Sequence, residues 1–133
     1  MFVTRKADYA VRCVLYLTQN RDRLATIDEI AKAMEIPKSF LAKILQQLIK
    51  AGIAVSERGI KGGFMLARDP KKISLLEIIE IIQGKSGLNV CAVEGKKCGL
   101  SRKCSVHPIW LKLREKVEKE LRAQNFKKLA GRS

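Results

Sequence analysis

Acidic residues are scarce in this chain. Its 13 aspartates and glutamates stand against 27 lysines and arginines, a formal charge of +14 over 133 residues. A deficit that large implies an anionic partner, nucleic acid first and an acidic membrane surface second. Aromatic side chains make up only 5% of the chain, which argues against stacking platforms for single-stranded nucleic acid. No apolar run approaches the ~18–20 residues a membrane span needs, so no transmembrane helix is expected. Met1-Phe2-Val3 runs at once into Arg5, Lys6 and Asp8, without the apolar region of a secretory signal. A cytoplasmic protein is therefore expected, in which the four cysteines are metal or redox groups rather than disulfides.

Histidine occurs once, at His107. A cysteine nucleophile would have that residue alone as its base, with no orienting acid at a recognisable spacing. No G-x-x-x-x-G-K-[ST] loop is present either, and Lys61-Gly62-Gly63 is too short to be one. An enzyme is not expected. Internal repeats and low-complexity tracts are also missing.

What is present is an ordered series of short helices and one hairpin. Ala10, Val14 and Leu17, with Tyr9, Cys13 and Tyr16 on a neighbouring stripe, predict a packed helix over 5–19. The apolar setting of Cys13 marks it as a core residue rather than a ligand. Thr26 and Glu29 form a capping-box pattern ahead of Ile27, Ile30, Ala31 and Met34. Pro37 suits the first position of a further helix, with Leu41, Ile44, Leu45 and Leu48 on one face and Gly52 as its stop. Two short helices joined through Glu35-Ile36-Pro37 read as a helix-turn-helix.

Ile53-Ala54-Val55 and Phe64-Met65-Leu66, around a glycine-rich basic turn, read as a β-hairpin. This order is that of a winged helix. Ser74 and Glu77 predict a second capping box, opening a helix that Gly84 ends. From about Val106 to Leu129 one long charged helix is expected, with Trp110, Leu113, Val117 and Leu121 as its packing seam. The fold class is thus mainly α with a small β-hairpin, a winged helix-turn-helix followed by a long C-terminal helix. The expected organisation is a DNA-binding domain over 1–84, a cysteine loop over 85–105, and the helix with its tail over 106–133.

The helix after Pro37 carries Lys38, Ser39, Ala42, Lys43, Gln46, Gln47 and Lys50 off its apolar stripe, and none is acidic. Lysines and a hydroxyl at a helix N-terminus suit phosphates and base edges in a major groove. A solvated face is the plain alternative. The hairpin tip, with Arg58 and Lys61 beside Gly59, Gly62 and Gly63, suits a narrow minor groove and favours double-stranded DNA. Residues 86–133 hold 12 basic and 4 acidic side chains, and Lys96, Lys97, Arg102 and Lys103 fall among the cysteines.

Cys91-x6-Cys98-x5-Cys104-x2-His107 is the most specific pattern in the chain. Three thiols and an imidazole can hold zinc or an iron–sulfur cluster. Structural zinc usually takes tighter cysteine pairs, so spacings of six and five favour the cluster.

These residues resemble the IscR/NsrR-type regulators, also called the Rrf-two family, over nearly the whole chain. The likeness runs from Thr4-Arg5-Lys6-Ala7-Asp8-Tyr9-Ala10-Val11 through Ile36-Pro37-Lys38-Ser39-Phe40-Leu41 and Arg58-Gly59-Ile60-Lys61-Gly62-Gly63-Phe64 to the three cysteines. It implies a homodimer joined through the C-terminal helices, here the Trp110–Leu121 seam, on palindromic promoter DNA. It places the helix from Pro37 in the major groove and the Arg58–Gly63 wing in the minor groove. Ser39, Phe40 and Arg58 match DNA-contacting positions, and Cys91, Cys98 and Cys104 match cluster ligands. Two positions implied by the resemblance compete for the fourth ligand. His107 matches the histidine of IscR-like proteins, which hold a two-iron two-sulfur cluster. Asp8 matches the aspartate that NsrR-like proteins lend from the other subunit to a four-iron cluster. His107 is favoured, being in the same segment as the cysteines. Ala42 stands where the IscR-like member has an acid, and the first cysteine gap is six rather than five.

Overall fold

The computed structural model describes residues 3–85 and 104–131. Thr4 opens α1 (Arg5–Gln19) by accepting the Ala7 N–H on its hydroxyl at 3.1 Å, which satisfies one of the donors a helix start leaves unpaired. Ala7, Ala10, Cys13, Val14 and Leu17 recur every three or four residues and are buried. That stripe makes α1 the strut against which the later helices pack.

The predicted capping box at α2 (Ile27–Met34) forms in both directions, Glu29 N–H to Thr26 Oγ1 at 3.2 Å and Thr26 N–H to Glu29 Oε1 at 2.7 Å. Glu29 also accepts two bonds from Arg23, at 3.0 and 2.7 Å, and the Tyr16 hydroxyl at 2.7 Å. These contacts fasten α2 to α1. They also hold the carboxyl at about 2, with the Arg23 bonds the largest cause, then the Thr26 N–H, then Tyr16.

Glu35 closes α2 in the left-handed region at φ 54°, and α3 (Lys38–Lys50) follows two residues later. Pro37 stands at the N-cap rather than inside the helix, and its carbonyl accepts the Leu41 N–H at 3.0 Å. At the far end Gly52, at φ 78°, lets the chain reverse so that Ile53 N–H returns to the Leu48 carbonyl at 2.9 Å.

Strands β1 (Ala54–Glu57) and β2 (Gly63–Leu66) pair antiparallel, from Ala54 opposite Leu66 to Glu57 opposite Gly63. Ala25 bridges to Phe64 through two 2.8 Å bonds, which ties the hairpin to the segment leading into α2. A Cβ at position 63 would stand 2.6 Å from the Ala25 carbonyl oxygen, so glycine is required there by the fold.

A 3₁₀ turn, Pro70–Lys72, is capped by Asp69, and Ser74 then opens α4 (Leu75–Gln83). Here only half of the expected capping box forms. Ser74 Oγ accepts the Glu77 N–H at 3.1 Å, but the Glu77 carboxylate is taken by Arg68 at 2.6 Å.

The single long helix expected over 106–129 is two. Helix α5 (His107–Ala123) stops at Gln124, and α6 (Phe126–Ala130) restarts where Asn125 accepts the Lys128 N–H at 2.9 Å. Burial of Phe126 is the reason. Its ring sits in the core with Tyr9, Val14, Ile73 and Ile78, and its N–H bonds the Ile73 carbonyl at 3.2 Å. A straight helix would leave that ring in water. The architecture is therefore a winged helix-turn-helix whose C-terminal turn closes its own core, with α5 lying against α4.

Candidate nucleic-acid interface and metal centre

Helix α3 turns Leu41, Ile44, Leu45 and Leu48 inward; Ser39 and Lys43 are exposed on the opposite side, and Lys38 and Phe40 are exposed at the helix start. Lys38 reaches back to Asp28 on α2 at 2.6 Å, an exposed pair worth little in stability. Among the described residues no ion pair engages Lys43, Arg58 or Lys61. Their charges remain available to phosphates.

Phe40 meets the Tyr9 ring edge-on at a centroid distance of 5.7 Å, and the Arg12 guanidinium lies over Tyr9 at 5.4 Å. Arg12 in turn binds Asp8 at 2.9 Å and the Met34 carbonyl at 3.2 Å. A run of contacts thus joins the exposed start of α3 to the first turns of α1. Lys6 lines a recess of about 170 Å³ with Ser39, Phe40 and Lys43. No local spacing marks Lys6 as a neighbour of α3, because only tertiary packing brings it there.

At the hairpin tip, Arg58, Gly59 and Lys61 are exposed, and the Gly62 N–H closes the turn on the Gly59 carbonyl at 3.0 Å. Ile60 is fully exposed between the two basic residues. Gly62 and Gly63 have a folding role, since a Cβ at either would collide with backbone oxygen, of Glu57 at 2.3 Å and of Ala25 at 2.6 Å.

Of the expected metal ligands, Cys91 and Cys98 lie outside the described residues, as do Lys96, Lys97, Arg102 and Lys103. Cys104 is half-buried, and the His107 N–H bonds its carbonyl at 3.3 Å, so one turn at the foot of α5 carries both. The Nδ1 of His107 is buried and has no hydrogen-bond partner among the described residues. Asp8, the competing ligand, already holds Arg12. No group of three metal-ligating side chains occurs among the described residues.

Along α5 the half-buried positions are His107, Trp110, Leu111, Arg114, Val117, Glu118 and Leu121, while Val106, Ile109 and Leu113 are exposed. At about 100° per residue the exposed three adjoin Trp110 and Val117, making one broad apolar arc of which α4 covers an edge.

Over residues 3–132 the chain matches the model of Rrf2, described as an iron-dependent transcriptional regulator. The chain belongs to the Rrf2 family. An HTH-type transcriptional regulator of Aquifex aeolicus is 37% identical over 123 residues, covering 91% of this chain and 85% of that one. NsrR of Bacillus licheniformis is 33% identical, covering 80% and 76%, and IscR of Klebsiella pneumoniae 29%, covering 88% and 72%. Among solved Rrf2-type folds, CymR, the global cysteine regulator of B. subtilis, superposes with a TM-score of 0.82 at 21% identity, covering 100% of this chain and 98% of that one. IscR of T. potens gives 0.76 at 24%, covering 97% and 85%. Members of the Rrf2 family act as transcriptional regulators rather than enzymes, and this chain is an HTH-type regulator of that kind. Among the described residues no helix is long and apolar enough to cross a membrane.

Proposed function

We propose that this Rrf2 protein reads palindromic promoter DNA as a homodimer and senses redox, nitric oxide or iron–sulfur status through a cluster on Cys91, Cys98, Cys104 and His107. The observation that carries the reading is the buried, unpartnered Nδ1 of His107 one turn from Cys104. A buried imidazole nitrogen without a partner is costly, and a metal relieves that cost. Arg12 already neutralises Asp8, which favours His107 and, with it, a two-iron over a four-iron cluster. When bound, such a cluster supplies a redox- and nitric-oxide-sensitive group tied to thiolates.

The chain's own residues supply the rest. Ser39, Phe40, Lys38 and Lys43 enter the major groove, with Lys6 beside them on the backbone. Arg58, Gly59, Lys61, Gly62 and Gly63 form the wing in the minor groove. Trp110, Leu113, Val117 and Leu121 pair with a second copy, and the exposed Val106 and Ile109 extend that arc. Cys104 and His107 fix the cysteine segment to the first turn of α5, the helix that spaces the two reading heads. A tenfold change in DNA affinity between the two ligand states requires only ~1.4 kcal/mol of coupling.

An ultraviolet–visible spectrum of protein purified without oxygen, with iron, sulfide and zinc assayed on the same sample, tests the sensor. Charge-transfer absorption with matched iron and sulfide is expected, weakened in His107→Ala and retained in Asp8→Ala. The reverse order of the two variants would assign the fourth ligand to Asp8 and favour a four-iron cluster. A colourless sample with stoichiometric zinc that takes up no cluster on reconstitution would leave a DNA binder with a structural or thiol-sensing loop.

A further inference from the structure

A second basic cluster lies at the base of the wing, away from the reading surface. The 3₁₀ turn carries Lys71 and Lys72, and α6 carries Lys127 and Lys128. Backbone pairing holds the two segments together, through Phe126 N–H to the Ile73 carbonyl at 3.2 Å, Leu75 N–H to the Gln124 carbonyl at 2.9 Å, and the Ser74–Asn125 bridge. Buried Pro70 and Phe126 anchor each segment to the core. The lysines therefore cannot separate by moving their backbones.

The side chains of Lys71 and Lys127 line one open cavity, which gathers their like charges on one surface. The neighbouring Lys71 pulls Lys127 below the ordinary lysine range, with the charge of Arg21 adding to the effect. The carboxylate of Asp69 acts on this cluster, and its Oδ1 already accepts the Lys71 N–H at 3.0 Å. Among the described residues no ion pair holds Arg21, Lys71, Lys72, Lys127 or Lys128. Beside the lysine pair is an open cavity of about 490 Å³, lined by Lys71, Asn125, Lys127, Lys128 and Gly131. The Asn125 side-chain Oδ1 accepts the Lys128 N–H, so its Nδ2 is the donor left to a ligand.

Like charges gathered around one cavity repel unless an anion sits between them, and a phosphate has enough oxygens to meet several ammonium groups and an amide at once. We propose that the groove between the Pro70–Lys72 turn and α6 is a phosphate-binding site, in which Lys71 and Lys127 share one phosphate group. The four residues of β2 separate it from the wing tip by ~13 Å of strand, so it is distinct from the wing contacts. The phosphate belongs either to a small phosphorylated molecule or to the DNA backbone, and the two sources separate by experiment. The site rests on neither the cluster nor the operator.

The test uses the full chain, with Lys127→Gln and, as a control for lost charge, Lys116→Gln on the exposed side of α5. Sodium pyrophosphate is titrated at constant ionic strength while backbone amide signals are followed. A small-molecule site gives saturable shifts at Lys71, Lys127, Lys128 and Gly131, weakened roughly tenfold by Lys127→Gln and unchanged by Lys116→Gln. A DNA-backbone site gives no saturation with pyrophosphate. Instead Lys127→Gln lowers the slope of log affinity against log salt on a mixed-sequence duplex by about 1, and Lys116→Gln leaves it unchanged. Unsaturable shifts together with equal salt slopes in both variants would overturn the proposal. Failure of the wild type to bind any duplex would count against the DNA reading while leaving the pyrophosphate result to stand.

Discussion

Cys13 and Glu29 show how one side chain's chemistry follows from its neighbours. Cys13 sits among apolar groups with no exposed surface, and burial pushes its thiol up to about 12. The thiolate is the reactive form, so at pH 8 Cys13 resists iodoacetamide in the folded protein and labels only on unfolding. Mass spectrometry of labelled peptides checks this; rapid native labelling would contradict the burial. Glu29 has the opposite problem, a charge that its surroundings favour. Its folded value of about 2 lies below the ~4.3 of an unfolded glutamate. The stabilisation is therefore complete above pH ~5 and fades as pH falls toward 2. Glu29→Gln keeps an oxygen for the Thr26 N–H and is expected to cost about 1 kcal/mol at neutral pH, through the charge-assisted bonds from Arg23. Urea unfolding at pH 7 and at pH 2.5 should show the gap between variant and wild type shrinking in acid.

At the scale of the element, the wing separates residues that build it from residues that use it. Gly63→Ala drives a methyl group toward the Ala25 carbonyl and breaks the bridge that ties the hairpin to α2. It should destabilise the domain by about 2 kcal/mol, because small-to-large changes at close contacts force backbone shifts. Arg58→Ala touches no such contact and is expected to keep the melting temperature while weakening DNA binding. Melting curves and DNA titrations on both variants separate the two roles. The capping boxes carry a related lesson. Thr26-x-x-Glu29 and Ser74-x-x-Glu77 are the same local signal, yet only the first closes in both directions. At the second, the Glu77 carboxylate holds Arg68, which the hairpin brings alongside α4.

Across the whole molecule, the C-terminal helix does two jobs that a sequence pattern merges into one. α5 buries no residue fully within the chain, while Phe126 just beyond it has no exposed surface at all. Phe126→Ala should therefore unfold the winged-helix core by about 3–5 kcal/mol, although it lies some forty residues beyond Gly84. Calorimetry on that variant, beside Ile109→Asp on the exposed arc of α5, should give a large fall in melting temperature for the first. The second should leave the single-chain core intact and shift sedimentation toward the monomer. Periodicity and end signals made α1 to α4, the hairpin and the basic face of α3 legible, because those depend on spacings of two, three and four and on local caps. Cys91, Cys98, Cys104 and His107 form a spacing in the sequence that carries the proposed ligand set. Tertiary packing decided what no local spacing encodes. Burial of one aromatic ring broke the last helix, and Lys6 came to lie beside Ser39. Phe40 rested on Tyr9, and two lysines more than fifty residues apart met in one groove. Each depends on which surfaces meet once the core closes, a property of the folded chain as a whole.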